Sequence, residues 1–354
     1  MMRARATWRE AARNIWSGTT RATGFGLTLS ALIAGLLLAD LGTVRQITGE
    51  SEAFASAGAA TLIMTAEGRV AGAACEALNA VPGVRAAGAL RALPDPLRLT
   101  LLPQAPLPQF EFSAGFPALL RADVTASGGA LLSSETAQSL GVGPGDTVGA
   151  GEEQLIVRGS FDYPEDGRRA GLGYAVLLGS DRDAPYDECW VDSWPQVPDL
   201  RGLLLLTAAP GEKPPVVAQL NSRLGESFDG AQKFEDRLTR WAAPLAGVLG
   251  LSLGFIAIRI RRLELASALH ARVPRASLAT GALLETASWA LTAPIIGLAL
   301  TALLARSFSA EDAGSILLLG ARIAVLAGLG ALLGALLSLL LVREKHLFRY
   351  FRER

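Results

Sequence analysis

The residues able to do chemistry are few: two His, His270 and His346, and two Cys, Cys75 and Cys189. A zinc centre needs closely spaced thiolate or imidazole ligands, and here no H-E-x-x-H occurs and neither Cys has a second ligand beside it. Ser133-Ser134-Glu135 carries hydroxyls, but no His lies anywhere between Asp40 and Arg240 to serve as their base. The acidic pairs Glu152-Glu153 and Glu165-Asp166 each adjoin a Gly and read as solvated turns in preference to paired catalytic carboxylates. No G-x-x-x-x-G-K-[ST] loop is present to cradle a phosphate. The chain is therefore expected to be non-catalytic, with no cofactor or metal of its own.

What must position the remaining residues is a set of apolar helices. Of 354 residues half are apolar and only 19% charged, below the quarter usual in soluble domains, with 33 basic against 33 acidic residues. That balance argues against a nucleic-acid binder, and the apolar content against a disordered chain. Four runs reach the roughly 20 residues that cross about 30 Å of hydrocarbon: Ala22 to Ala39, Trp241 to Ile258, Thr286 to Ala305 and Ile323 to Val342. The first is too long for a signal-peptide core and lacks an A-x-A end, so it is expected to be retained. Within the runs there is no charge, which disfavours an intrinsic ion pathway. Gly250 with Gly254, Gly330 with Gly334 and Ala31 with Gly35 allow close helix packing, within the chain or across a dimer.

Lys and Arg set the orientation. The segment before the first run, residues 259 to 285, and the tail together hold 15 basic and five acidic residues, so this side is expected to be cytoplasmic. Asp40 to Arg240 carries 26 acidic and 16 basic residues and is expected outside, where its acidity suits a cationic ligand. The expected plan is an amphipathic helix over 1–21, a span over 22–42, an extracytoplasmic α+β domain over 43–235, and a stalk with the second span over 236–258. A cytoplasmic loop over 259–285, a span over 286–305, an external loop over 306–322, a span over 323–342 and a cytoplasmic tail over 343–354 complete it. In the outer domain, strands are expected at Thr61 to Ala66, Val84 to Leu93, Gln154 to Phe161, Tyr174 to Leu178, Cys189 to Trp194 and Leu203 to Ala208. Helices are expected at Val70 to Val81, Ser134 to Leu140 and Pro215 to Leu224, with Pro94 to Pro108 irregular. A helix from Ala231 is expected to run unbroken into the second span. Cys75 and Cys189 both fall outside, as a disulfide or as two buried thiols.

The segment Arg259 to Glu285 (RIRRLELASALHARVPRASLATGALLE) resembles the loop after the second helix in permeases of the MacB, LolC/LolE and FtsX type, R-R-x-E-L-A-x-L-R-A-x-G-A-x-R followed by L-L-E. Arg261, Arg262, Glu264, Leu265, Ala266 and Arg275 match, as does Leu283-Leu284-Glu285, while Arg272 stands where the family has Gly and Pro274 precedes Arg275. Ala12-Arg13-Asn14-Ile15 is similar to the family's amphipathic N-terminal helix, and Glu135 to Phe161 to part of the MacB periplasmic domain. The resemblance implies the membrane subunit of an ABC transporter, with ATP and Mg bound by a separate ATPase and a second permease, identical or related, beside it. It implies ATPase coupling through Arg261, Arg262, Glu264, Leu265, Leu269, Arg275 and Glu285. Glu264 to Ala279 is read as one helix, with Leu265, Leu269 and Leu278 open to a groove. The cargo would be a peptide, lipoprotein or amphiphilic drug met outside; the alternative is an FtsX-like regulator acting on an extracytoplasmic cell-wall hydrolase. With both termini cytoplasmic, a fluorescent protein fused after Arg354 is expected to fold and emit, and an alkaline phosphatase fused there to be inactive. The opposite pair of readouts would reverse the topology.

Overall fold

A computed structural model describes residues 4–125, 129–151, 153–180 and 184–343. Arg3, Glu152, His346 and the tail charges Glu344, Lys345, Arg349, Arg352, Glu353 and Arg354 lie outside the described residues. In chain order the elements are α1 (Ala4–Trp16), α2 (Ala22–Ser56), β1 (Thr61–Val70), α3 (Gly72–Ala77), β2 (Val84–Ala92), β3 (Leu97–Leu99), β4 (Leu102–Leu107), β5 (Gln109–Phe112) and α4 (Phe116–Leu119). There follow β6 (Asp123–Val124), β7 (Ala130–Ser133), α5 (Ser134–Leu140), β8 (Thr147–Ala150), β9 (Glu153–Phe161), β10 (Val176–Gly179), β11 (Tyr186–Ser193), α6 (Leu200–Leu205) and β12 (Val216–Gln219). The chain closes with α7 (Gly230–Asp236), α8 (Ala242–Ile260), α9 (Arg262–His270), α10 (Arg275–Ala305) and α11 (Ala313–Leu341). It divides into two units, residues 1–48 with 230–354, and residues 49–229.

The first unit holds the helices long and apolar enough to cross a membrane, four in all among the described residues. Its tightest seam joins α8 to α11, and glycine makes it. A Cβ placed on Gly254 would stand 1.8 Å from the Ala331 carbonyl oxygen, one on Gly250 2.1 Å from that of Ala327, and one on Gly334 1.9 Å from that of Leu251. Backbone therefore rests on backbone, which only small residues permit where lipid supplies no hydrophobic drive between helices. The Gly250/Gly254 and Gly330/Gly334 pairs are thus spent inside the chain, whereas Ala31 and Gly35 are exposed on α2. Ile33 and Leu37 of α2 reach α10 at Gly297, and a shared cluster of Leu29, Trp289, Ala293 and Ala324 fills the middle of the bundle.

Two expectations for this unit change. No unbroken helix enters the second span: α7 stops at Asp236, Arg237 is extended (φ −59°, ψ 132°), and a 3-10 turn over Leu238–Trp241 precedes α8. The cause is polar. The Arg237 guanidinium turns back to the Asp40 carboxylate at 3.1 Å, donates to the Phe234 carbonyl, and lies 3.7 Å from the Phe234 ring. The uninterrupted long helix is instead α2, which continues well past residue 42 to Ser56.

The second unit is α+β, built on a mixed ten-stranded sheet in the order β12-β1-β11-β2-β5-β10-β7-β9-β6, with β8 on β9; β10–β5 and β7–β9 are parallel. Strand alternation sends neighbours to opposite faces. Trp190 of β11 joins Phe112, Phe116 and Leu131 in one core, while Cys189 beside it joins Met64, Leu200 and Leu204 in another and is bonded to Cys75 of α3. That disulfide joins residues 114 apart in sequence, for which loop entropy implies about 5 kcal/mol of stabilisation. Three local readings fail here. Leu203 to Ala208 begins inside α6, since Leu200 and Leu204 are buried one turn apart and a short apolar run does not distinguish helix from strand. Pro215 to Leu224 contains the edge strand β12, paired antiparallel to β1 through Val216 and Val217, whose β-branches favour extended backbone. Pro94 to Pro108 holds the β3–β4 hairpin in place of irregular chain. Gly254→Val is expected to push α8 off α11 and to lower the yield of folded protein in detergent severalfold. Gly35→Val, on an open face, should leave size-exclusion profile and melting temperature unchanged.

Candidate functional site

The residues singled out after the second span meet at one end of the first unit. α8 ends at Ile260, and Arg261 (φ −94°, ψ 11°) turns the chain directly into α9. α9 stops after nine residues because Arg272 takes a left-handed φ of 59°, with the Arg272 and Val273 amides donating to the Leu269 and Ala268 carbonyls. This is the position where glycine would sit without strain. Pro274, extended at ψ 132°, then starts α10, and its missing amide proton costs nothing at a helix N-terminus. The single helix expected over Glu264 to Ala279 is therefore two helices with a turn between them.

Arg261 is the hub. Its Nε and Nη2 donate to the Glu264 carboxylate at 2.9 and 2.7 Å, and its Nη1 donates to Glu285 Oε2. Glu285 Oε1 accepts from the Asn14 side-chain amide of α1 at 2.7 Å. Glu285 is 5% exposed and sits roughly 15 Å along α10 from Arg275, at 1.5 Å per residue. Burial opposes the Arg261 charge, but hydrogen bonds from it to Glu264 and Glu285 outweigh that and raise its pKa above the ordinary arginine value. Arg261 is thus held as a fixed cation. One buried ion pair and one amide join α1, the α8–α9 corner and α10, around a cleft of about 120 Å³ lined by Glu10, Asn14, Glu264, Ser277 and Gly281.

Not all of the named coupling residues present themselves outward. Leu265 is 5% exposed, and Leu269 and Leu278 are half-buried against Ile258, Ala266, Ala282, Ala335 and Val342. Leu265 and Leu278 line the cleft beside Arg261 and Glu285, and Leu269, one turn on from Leu265, packs on the same side of α9 against the bundle end. Arg261 and Glu285 are likewise turned inward, and Arg262 is half-buried. The exposed edge is formed by Glu264, His270, Arg272 and Arg275. Asn14 escaped the sequence reading: an amide on an amphipathic helix announces no partner, and its acceptor lies 271 residues away. The second buried pair, Asp40 with Arg237, escaped because both residues stand just outside the uncharged runs. Charge does enter the bundle, at its ends.

The second unit has its own concavity, about 530 Å³, lined by Glu135, Tyr163, Gly167, Arg168, Tyr174 and Arg223. Burial pushes the Tyr163 hydroxyl up to about 12, and it donates to the Arg169 carbonyl at 2.5 Å. The Arg168 guanidinium lies 5.2 Å from the Tyr163 ring, and its hydrogen bonds to Asp166 hold that carboxyl below its usual range. Among the described residues no group of three His, Cys, Asp or Glu could hold a metal ion.

No family model matches the chain, and no curated protein matches it. Among solved structures it is similar to the periplasmic region of MacB from Actinobacillus actinomycetemcomitans, at 10% identity and a TM-score of 0.35 over 51% of this chain and 94% of that one. It is also similar to the extracellular domain of the noncanonic ABC-type transporter YknZ from Gram-positive bacteria, at 14% identity and a TM-score of 0.29 over 40% of this chain and 88% of that one.

Glu285→Ala leaves Arg261 buried with one carboxylate in place of two, and is expected to destabilise by roughly 3 kcal/mol. Arg261→Met combined with Glu285→Met should recover most of that loss, since neither charge remains to be solvated. Thermal unfolding in detergent checks both; equal melting temperatures for the single and double variants would mean that the pair is not coupled.

Proposed function

We propose that this chain is the membrane subunit of an ABC transporter, passing ATP-driven motion from a cytoplasmic ATPase to its extracytoplasmic domain. The observation that carries the reading is the form of the α9–turn–α10 segment. It is a folded projection, fastened on its inner side by Arg261–Glu285 and Leu265, that keeps Glu264, His270, Arg272 and Arg275 on its open edge. A loop that only satisfied the positive-inside rule would need its charges but not this internal fastening. The motif resemblance of Arg261, Arg262, Glu264, Leu265 and Arg275 supports the same reading.

In this reading Arg261, Leu265, Leu269 and Glu285 position the projection, and Arg272 and Arg275 meet the acidic or phosphate-bearing surface of the ATPase. The ATPase binds ATP and Mg, and a second permease, identical or related, completes the assembly. Cargo is a peptide, lipoprotein or amphiphilic drug, handled outside the bilayer. Hydrolysis takes place in the partner.

Purification of the chain from its own host in mild detergent is expected to bring an ATPase subunit with it. Arg272→Glu with Arg275→Glu should cut that recovery on the order of tenfold, while the melting temperature of the permease stays within a degree or two of the parent. Recovery without any ATPase, under conditions that keep such complexes together, would remove the reading; a co-purified cell-wall hydrolase would turn it toward the regulatory alternative.

A further inference from the structure

α1 is 13 residues long, about 20 Å at 1.5 Å per residue, too short to cross a bilayer. Its inner face is fully used: Ala11 is 3% exposed, Ile15 packs on the cluster that contains Trp289, and Asn14 is bonded to Glu285. These contacts fix α1 against the Arg275 half of α10, at the end of the bundle. Its other face carries large aromatic and basic side chains together. Trp8 and Trp16, two turns apart with Ala12 between them, are 64% and 91% exposed. In the neighbouring row stand Arg9 and Arg13, one turn apart and also exposed.

Two exposed indoles beside two guanidinium groups give this face both apolar area and positive charge. The arginine row runs alongside the tryptophan row over the same two turns, so apolar area and positive charge lie side by side on one helix face. The indole carries an apolar body with an N–H at its edge, which suits it to the boundary between acyl chains and headgroups. A guanidinium matches a phosphate oxygen pair, and its flanking methylenes lie along apolar surface while the charge reaches out. Side by side at that boundary, the four side chains match lipid phosphates in register with the upper acyl chains. Arg21, exposed between α1 and α2, adds a third cation near where the first membrane helix begins.

We propose that the Trp8–Arg9–Arg13–Trp16 face of α1 is a binding surface for anionic phospholipid headgroups, and that bound lipid holds α1 against α10. The tryptophans supply affinity for any bilayer, and the arginines supply the preference for negative charge. This goes beyond the transporter reading and stands without it, because it needs no ATPase.

The test uses the full chain in nanodiscs of phosphatidylcholine alone, or of equal parts phosphatidylcholine and phosphatidylglycerol, with hydrogen exchange followed in the peptide that covers α1. Phosphatidylglycerol is expected to slow exchange of the α1 amides on the order of tenfold, and high salt to reverse most of the gain. Arg9→Gln with Arg13→Gln should abolish the difference between the two lipids and leave α1 protected as in phosphatidylcholine. Trp8→Ala with Trp16→Ala should weaken protection in both. Exchange in the peptides around Cys75 and Cys189 reports that each variant is folded. The proposal is overturned if α1 exchanges alike in the two lipids, if the arginine pair can be removed without effect on the difference, or if protection arises only when an ATPase subunit is added.

Discussion

A carboxylate buried among apolar helices must either lose its charge or be held by a cation and hydrogen bonds on both oxygens, and Glu285 is held. Arg261 takes one oxygen and Asn14 the other. Because these partners come from the α8–α9 corner, 24 residues before Glu285, and from α1, 271 residues before it, a single desolvated charge draws three segments together. The turn at Arg272, the burial of Leu265 and the seating of α1 on α10 all sit around that point. A purely apolar contact would have tolerated sliding by a turn; an ion pair with an amide on its second oxygen does not.

The bundle obeys a different constraint along its length. Between α8 and α11 glycine sets the register, by allowing Gly254 and Gly334 to lie against opposing carbonyls. Pro294 of α10 adds a local variation: it has no amide proton for the Ala290 carbonyl, and Gly328 of α11 passes close to that oxygen. At the other end, Asp40 and Arg237 stop α7 from running on into α8, so the break in the helix has a side-chain cause in a buried ion pair. Polar contacts thus define both ends of an otherwise apolar unit, and small residues define its middle.

The division of labour in the loop after the second span follows. Matching residue types to a family motif treats Arg261, Leu265, Leu269, Arg275 and Glu285 as one surface. Packing separates them into an inner set that shapes the projection and an outer edge that partners can reach. The exposed edge includes Arg272, whose left-handed backbone keeps the turn a glycine would make while adding a charge there.

The sequence by itself determined the four membrane helices, the α+β class of the inserted domain and several of its elements, among them Ser134–Leu140, because these depend on local composition and period. Twenty apolar residues have few alternatives to a membrane helix, and Ser133 before Ser134 caps α5 by accepting from the Thr136 amide three residues on. Tertiary structure decided everything that rests on a partner distant in the chain. Whether Leu203 to Ala208 was strand or helix, whether Val216 found a neighbour in β1, whether Cys75 met Cys189, and where Glu285 found its cation were not local questions. The sequence placed Arg261 and Glu285 in one loop by spacing; only folding set them against each other, since a buried charge is stable only where its counter-charge is brought to it.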